Sequence, residues 1–168
     1  TRAKNSIFDS YPQATTLDLS QKTLQERAQF LSQHIPDLPV AQAKVMLEIG
    51  VGSNTSITIG GSRVRGDYTP NSDIDIGFGH LNTNQASKAL RRIKRDSAEI
   101  PNALKVEDTR IVPGNETKNI TRISSPKEFF QRQGTRVGED ERAGQPFHPS
   151  GSVTIHPNGI IEIDPPRK

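Results

Sequence analysis

The chain has 168 residues, contains no cysteine and carries a formal net charge of +3. Its length suits a single domain, and without cysteine it forms no disulfide and no thiolate-bound metal site. No apolar run reaches membrane-spanning length, so we expect no membrane partner. The small positive charge favours a polyanionic partner only weakly, because such a balance bears first on solubility.

Two helices are predicted in the first third of the chain. Residues 1–19 show no periodicity, which predicts an irregular N-terminal segment. From Ser20, a suitable N-cap, to about His34, apolar residues recur at helical spacing. A second helix is predicted from about Val40 to Ile49, between the prolines that end the first helix and a pair of glycines.

A glycine-rich turn is predicted in the stretch ITIGGSRVRGDYTPNSDIDIGF. A short β-branched run ends at Gly60 and Gly61, and glycine lets backbone N–H groups approach a phosphate closely. Ser62 adds a hydroxyl, and Arg63 and Arg65 add charge at the start of a short predicted helix, where an anion is favoured. Together these residues predict a phosphate-binding turn.

Two aspartates, Asp73 and Asp75, alternate with isoleucines in the strand predicted to follow. Strand side chains change face at each residue, so both carboxylates share one face and the apolar residues share the other. Neighbouring like charges repel, and a fold keeps them together when a cation lies between them. Magnesium takes hard oxygen ligands and bridges carboxylates to phosphates, so the pair predicts a site for Mg²⁺.

The segment GSRVRGDYTPNSDIDIG, residues 61–77, resembles the signature of the nucleotidyltransferase superfamily. It is most similar to the minimal nucleotidyltransferases, whose pattern is a Gly-Ser turn, a spacer and Asp-x-Asp on the next strand. The resemblance implies a Mg²⁺-dependent enzyme that transfers a nucleoside monophosphate from a nucleoside triphosphate, such as ATP, to an acceptor hydroxyl. It implies that Asp73 and Asp75 hold two Mg²⁺ ions. The implied nucleotide-binding residues are Gly61, Ser62, Arg63, Arg65 and Ser72.

A strongly basic helix is predicted from about Asn84 to Glu99, with Asn82 or Thr83 as its cap. Opposite its apolar stripe it carries Lys88, Arg91, Arg92, Lys94 and Arg95. A solvated face and a phosphate-contacting face are equally compatible with this pattern. If the face contacts RNA, the candidate residues are Lys88, Arg91, Arg92 and Arg95.

A third acid is implied by the resemblance, on the strand after this helix. Ala103–Val112 predicts that strand, and Glu107 is the candidate because it faces away from most of the apolar residues. Asp108 is the alternative if a bulge shifts the register. Glu162 and Asp164 are weaker alternatives. Without a third acid the second ion would be held loosely, so catalytic competence depends on this residue more than metal binding does.

Two further elements are predicted toward the C-terminus. Ser125–Pro126–Lys127–Glu128 is a capping box with proline at the first helical position, which predicts a short helix. Val153–His156 and Ile160–Ile163 flank Asn158–Gly159, a residue pair typical of a tight β-hairpin.

The same region carries a second resemblance. EFFQRQGTRVG followed by HPSGSVTIHPNG is similar to the C-terminal toxin segments of bacterial polymorphic toxins, such as those on Rhs and contact-dependent inhibition proteins. This resemblance implies a secreted or cell-surface effector that acts in the cytoplasm of a target cell, and a cognate immunity protein. The first residue, Thr1 in place of methionine, agrees with a piece of a longer protein.

The predicted fold is α/β (α+β), a nucleotidyltransferase-like small mixed β-sheet flanked by helices, with a C-terminal β-hairpin. A single domain is predicted over 20–168, with helices in 20–52, the catalytic core in 57–112, and the short helix and hairpin in 125–164. The predicted acceptor is tRNA or another RNA, with a protein or a small molecule as the other choices. The alternative is a catalytically degenerate domain that binds a nucleotide or RNA.

Overall fold

A five-stranded antiparallel sheet forms the centre of the fold. The computed structural model describes residues 6–78, 83–106 and 151–166. In the order in which they pair, the strands are β1 (Thr15–Asp18), β5 (Ile160–Asp164), β4 (Ser152–Ile155), β2 (Ile57–Gly60) and β3 (Asp75–Phe78). A parallel bridge between Ile74 and Val106 adds a further segment beside β3. The sheet is therefore mixed at this edge.

Five helices accompany the sheet in the described ranges. They are α1 (Ile7–Ser10), α2 (Leu24–His34), α3 (Val40–Gly52), α4 (Ser62–Arg65) and α5 (Thr83–Ser97). α2 packs against α3, and α3 also contacts α5 and β2. None of these helices has the length and apolar character needed to cross a membrane. Sheet and helices together confirm the predicted α/β fold class.

The N-terminal segment contains ordered elements that the sequence does not predict. β1 pairs with β5 as an edge strand, with Thr15 opposite Ile163 and Asp18 opposite Ile160. Ile7 of α1 is fully buried in the core. The prediction of an irregular segment over residues 1–19 is therefore wrong for these two elements. Four-residue elements are too short to show a period, and the partner of β1 comes from the far end of the chain.

The helix α2 begins later than predicted, with Thr23 rather than Ser20 as its N-cap. The Thr23 hydroxyl accepts from the Glu26 N–H at 3.1 Å, and the Glu26 carboxylate accepts from the Thr23 N–H at 2.9 Å. This reciprocal pair is a capping box. Ser20 instead donates its backbone N–H to Asp18 at 2.9 Å in the turn after β1. The predicted end of the helix at His34 is confirmed.

The helix α3 continues past its predicted end and includes both glycines that were expected to break it. Gly50 is buried where the helix meets the sheet. A Cβ at this position would stand 3.0 Å from Cδ1 of Ile57 in β2. Gly50 therefore permits a close approach between helix and strand, which outweighs its low helix propensity.

One face of the sheet is apolar and packs into the core. Residues opposite each other in a ladder share a face, and apolar pairs run across β3, β2, β4 and β5. These core residues are Ile57, Ile59, Ile76, Phe78, Val153, Ile155, Ile161 and Ile163, each at most 4% exposed. The other face carries Thr58 and Thr154, whose hydroxyls lie 2.8 Å apart. Asp75 belongs to this polar face.

The predicted C-terminal hairpin is confirmed. β4 and β5 pair antiparallel on either side of Asn158–Gly159. Gly159 has a φ of 101°, which glycine adopts without strain. The Asn158 side chain accepts from the Ile160 N–H at 3.0 Å. The helix predicted from Ser125 lies outside the described residues.

Candidate active site

The glycine turn and the second aspartate are in contact. Gly60 and Asp75 are partners in the ladder between β2 and β3, so strand pairing brings the turn against the carboxylate. Gly61 has a φ of 84°, in the region that favours glycine. A Cβ at Gly61 would overlap Oδ2 of Asp75 and stand 2.9 Å from its Cγ. The predicted phosphate turn and one predicted metal ligand therefore lie side by side.

Asp73 and Asp75 are presented on one side of their segment. Both are half-buried, whereas Ile74 and Ile76 are 0% and 3% exposed. The isoleucines are therefore fixed in the core, and the alternation turns the two carboxylates toward the opposite face. The strand begins at Asp75, two residues later than predicted, so Asp75 lies beside the turn within β3 and Asp73 precedes the strand.

The segment that leads to the predicted third acid runs beside β3. The Ile74 N–H donates to the Lys105 carbonyl at 2.9 Å, next to the bridge between Ile74 and Val106. Leu104 and Val106 are buried and Lys105 is exposed, which is the alternation that the sequence predicts, but over 103–106 the only ladder contact is the bridge at Val106. Glu107 and Asp108 follow directly in the sequence but lie outside the described residues. The choice between them stays a prediction.

Gln42 of α3 fixes this segment. Its amide is fully buried, donates to the Leu104 carbonyl and accepts from the Leu104 N–H, both at 2.8 Å. One side chain thereby satisfies both backbone groups of Leu104, as a neighbouring strand would. Gln42 is not among the residues that the sequence predicts for the site, because a glutamine at a helical position carries no local signal for a partner 62 residues away.

Topology excludes the two C-terminal acids as the third ligand. β4 and β2 lie between β5 and β3, so Glu162 and Asp164 are three strand spacings from Asp75, or roughly 14 Å. One ion cannot bridge carboxylates over that distance. Oε2 of Glu162 instead lies 2.5 Å from Nε2 of His156. The weaker alternatives for the third acid are therefore wrong.

Arg63 is enclosed by protein and is 1% exposed. Its guanidinium donates to the carbonyl oxygens of Pro70 and Ser72 and to Oδ2 of Asp37, which is 2.9 Å from Nη1. The ring of Tyr68 lies 4.7 Å from the guanidinium carbon. The guanidinium of Arg63 therefore binds the loop before the acid pair. The sequence instead predicts that it contacts a phosphate. The sequence does not single out Asp37 or Tyr68, because each contacts Arg63 only in the folded chain.

The other predicted nucleotide ligands lie nearer the surface. Ser62 begins α4 and is half-buried. Nε of Arg65 is 3.5 Å from Oδ1 of Asp67, and the Arg65 side chain is 18% exposed. The Ser72 hydroxyl accepts from the Thr69 N–H at 2.8 Å, so it helps to close the loop. Ser62 and Arg65 are therefore the better placed of the predicted ligands after Gly61.

The basic face of α5 is exposed. Its buried side contains Ala89, Leu90 and Ile93, as predicted. Lys88, Arg91, Arg92 and Arg95 are exposed and Lys94 is half-buried, and all five line one surface concavity. Nε of Arg95 is 2.9 Å from Oδ1 of Asp96. Concentrated positive charge of this kind is what binds phosphate backbones.

Two of the three acids predicted to hold Mg²⁺, Asp73 and Asp75, lie within the described residues. Within 6–78, 83–106 and 151–166, no three His, Cys, Asp or Glu side chains are grouped closely enough to hold a metal ion. Asp73 and Asp75 offer carboxylate oxygens, which Mg²⁺ prefers. Because Gly61 has no Cβ, Oδ2 of Asp75 lies directly against the backbone of the turn, where a bound phosphate would share the ion. These residues fit the ion as two of its ligands, and Glu107 is the predicted third.

Comparison with known families gives a match in this region. The model of the nucleotidyltransferase domain matches residues 42–111. That range contains the Gly61 turn, both aspartates, α5 and the candidate Glu107. No curated protein and no solved structure matches the chain. Residues 42–111 are therefore similar to a nucleotidyltransferase domain, which supports the nucleotidyltransferase superfamily and, in general terms, the transfer of a nucleoside monophosphate.

Proposed function

We propose that this chain is a Mg²⁺-dependent nucleotidyltransferase that transfers a nucleoside monophosphate from a nucleoside triphosphate to an acceptor hydroxyl. The contact between the Gly61 turn and Asp75 carries the proposal. A phosphate-binding bend and an acid that lie side by side are within reach of one triphosphate. The family match over residues 42–111 supports the same class of reaction.

The metal would be held by acids at the edge of the sheet. Asp73 and Asp75 are assigned to it, and Glu107 completes the set. When bound, Mg²⁺ neutralises charge on the triphosphate and favours the acceptor oxygen as a nucleophile. Ile74 and Ile76, which alternate with the aspartates, are buried in the core. They hold the backbone of both aspartates in place before an ion binds.

The glycine turn would bind and orient the triphosphate. Gly61 and Ser62 offer backbone N–H groups and a hydroxyl to the β- and γ-phosphates. Arg65 offsets charge on the leaving pyrophosphate. The acceptor oxygen bonds to the α-phosphorus as the bond to pyrophosphate breaks, and the hydroxyl proton leaves to solvent. The protein contributes orientation and charge compensation rather than a covalent intermediate.

RNA, and tRNA in particular, is the acceptor that we favour. Support comes from the exposed basic residues of α5, which give this helix one positively charged face. Neutralising phosphates with such a face releases counterions, so binding should weaken steeply as salt rises. A neutral small-molecule acceptor would show little salt dependence.

The role as an antibacterial toxin is supported by the resemblance of the C-terminal segment to polymorphic toxins. This role includes a cognate immunity protein and action in the cytoplasm of a neighbouring cell. Induced expression of the domain in bacteria should stop growth. Growth arrest that persists unchanged in Asp75→Asn would argue that toxicity does not come from nucleotide transfer.

Labelling in a bacterial lysate tests the activity and identifies the acceptor. The domain is incubated with Mg²⁺ and each α-labelled nucleoside triphosphate, and the RNA, protein and small-molecule fractions are counted. The proposal expects label in RNA, with less in the double variant Arg91→Gln/Arg92→Gln than in the control Lys22→Gln. Label in protein or small molecules would replace RNA as the acceptor. Absence of label from every fraction would contradict transferase activity.

A degenerate binding module is the second candidate. It is the function expected if Glu107 does not complete the acid set, because the second ion would then be held loosely. Such a module would bind a nucleotide or RNA without releasing pyrophosphate. Nucleotide binding measured beside pyrophosphate release therefore separates the two candidates.

A further inference from the structure

The buried guanidinium of Arg63 links the phosphate turn to the acid pair. Arg63 belongs to α4, the helix that begins directly after Gly61. Its side chain reaches the carbonyl oxygen of Ser72, which is the residue before Asp73. We propose that Arg63, together with Asp37, is a positioning residue that fixes the loop 68–72 and thereby the location of Asp73 and Asp75. The effect of Arg63 on catalysis rests on the proposed function, whereas its effect on the loop does not.

A charge that is 1% exposed is costly unless all its donors are paired. Each of the three guanidinium nitrogens of Arg63 has at least one acceptor. Nε donates to the Ser72 carbonyl, Nη2 to the Pro70 and Ser72 carbonyls, and Nη1 to Asp37. The guanidinium of arginine presents its donors at three separate nitrogens, whereas the three donors of lysine radiate from one nitrogen, so lysine cannot reach the same set of acceptors. The loop is therefore held at two of its carbonyl groups by one side chain.

Asp37 supplies the only charged partner among these acceptors in the described residues. It lies between α2 and α3, and its φ of 65° is a left-handed conformation that aspartate tolerates better than most residues. Its side chain is 66% exposed although Arg63 is buried. The backbone of Asp37 thus adopts an uncommon conformation at the point where its carboxylate accepts a hydrogen bond from Arg63. This ties the helices to the loop that precedes the acids.

The loop is also fixed on its far side. The Ser72 N–H donates to the Thr69 carbonyl at 3.0 Å, and the Ile74 N–H donates to the Lys105 carbonyl at 2.9 Å. These two amides flank Asp73. If Arg63 fixes the conformation of the loop, the protection of these two amides from hydrogen exchange depends on Arg63. This holds whether or not the chain transfers a nucleotide.

Hydrogen exchange of the metal-free, full 168-residue chain tests this dependence in Asp37→Gly and Arg63→Lys. Glycine accepts the left-handed backbone, so Asp37→Gly removes the carboxylate without introducing strain. Asn54→Gly is the matched control, because Asn54 has a φ of 50°, is exposed and lies away from the loop. The amides of Ser72 and Ile74 should exchange about tenfold faster in both variants and at the wild-type rate in the control. The amide of His156 in the hairpin should not change.

Unchanged exchange at Ser72 and Ile74 in both variants would overturn the proposal. A uniform acceleration that includes His156 would also overturn it, since it would indicate loss of global stability alone. In the enzyme assay, Asp37→Gly should raise the Mg²⁺ concentration for half-maximal turnover about tenfold while KM for the nucleotide stays unchanged. A wild-type chain that transfers no nucleotide would contradict the proposed function, and exchange would then decide the role of Arg63 by itself.

Discussion

Oδ2 of Asp75 occupies the position that a side chain at Gly61 would need. The two residues meet because Gly60 and Asp75 pair in the β2–β3 ladder. The glycine is thus required by a neighbouring carboxylate as well as by its own backbone, whose φ is 84°. The close approach places the carboxylate directly beside the backbone of the turn.

Gly61→Ala is expected to reduce both stability and transferase activity. Left-handed backbone strain and the overlap with Asp75 should together cost about 2 kcal/mol in the free energy of unfolding. Urea unfolding followed by circular dichroism measures the stability. Gly52→Ala is the control, because a Cβ there meets nothing within 4 Å. Wild-type stability and activity in Gly61→Ala would contradict the described contact.

Gln42→Leu is expected to destabilise the chain by about 2–4 kcal/mol. Leucine has a similar volume, but it would leave the buried N–H and carbonyl of Leu104 without partners. Gln29→Leu makes the same chemical change at an exposed position of α2 and should stay within about 0.5 kcal/mol of the wild type. Equal unfolding midpoints for the two variants would show that the Gln42 contacts carry no stability.

Thr23→Ala is expected to cost about 1 kcal/mol, since it removes the side chain that caps α2. Ser20→Ala should change stability by less than about 0.5 kcal/mol, because Ser20 is exposed to solvent in part and caps no helix. Thermal unfolding of the two variants side by side checks the observed helix start. A larger loss in Ser20→Ala than in Thr23→Ala would favour the start that the sequence predicts.

The stability of the chain should fall as the pH drops below about 6.5, in part because of His34. Partial burial lowers the pKa of His34, whose ring lies 5.6 Å from that of Tyr11 and 4.6 Å from that of Phe30. The unfolded chain therefore binds the proton first, and stability is lost as pH falls through the folded pKa. His34→Gln should show a smaller change in Tm between pH 7.5 and pH 5 in a thermal scan. An equal change in both proteins would contradict this origin.

Local patterns in the sequence predict much of the site. The alternation from Asp73 to Phe78 predicts the strand from Asp75 onward and the face of Asp75, because strand geometry repeats every two residues. Asn158–Gly159 gives the hairpin, because few residues adopt the backbone of a tight turn. Each of these signals acts within a few residues, so folding elsewhere does not alter it.

The remaining features depend on partners that are distant in the sequence. The sequence predicts that Arg63 binds phosphate, because it lies beside Gly61. Its guanidinium instead pairs with Asp37, which precedes it by 26 residues. The strand β1 shows no period and is ordered by pairing with β5 at the other end of the chain. A polar side chain at a turn has several possible partners, and only the folded chain selects among them.

Pyrophosphate release shows whether Asp73 and Asp75 are needed for nucleotide transfer. Purified chain with Mg²⁺, a nucleoside triphosphate and the acceptor fraction should release pyrophosphate in the wild type and in Glu48→Gln, an exposed carboxylate of α3 that serves as the control. Asp73→Asn and Asp75→Asn should release none while keeping wild-type stability or gaining some, since each removes one of two repelling charges. Release of pyrophosphate at the wild-type rate from either aspartate variant would contradict a catalytic role for the acid pair.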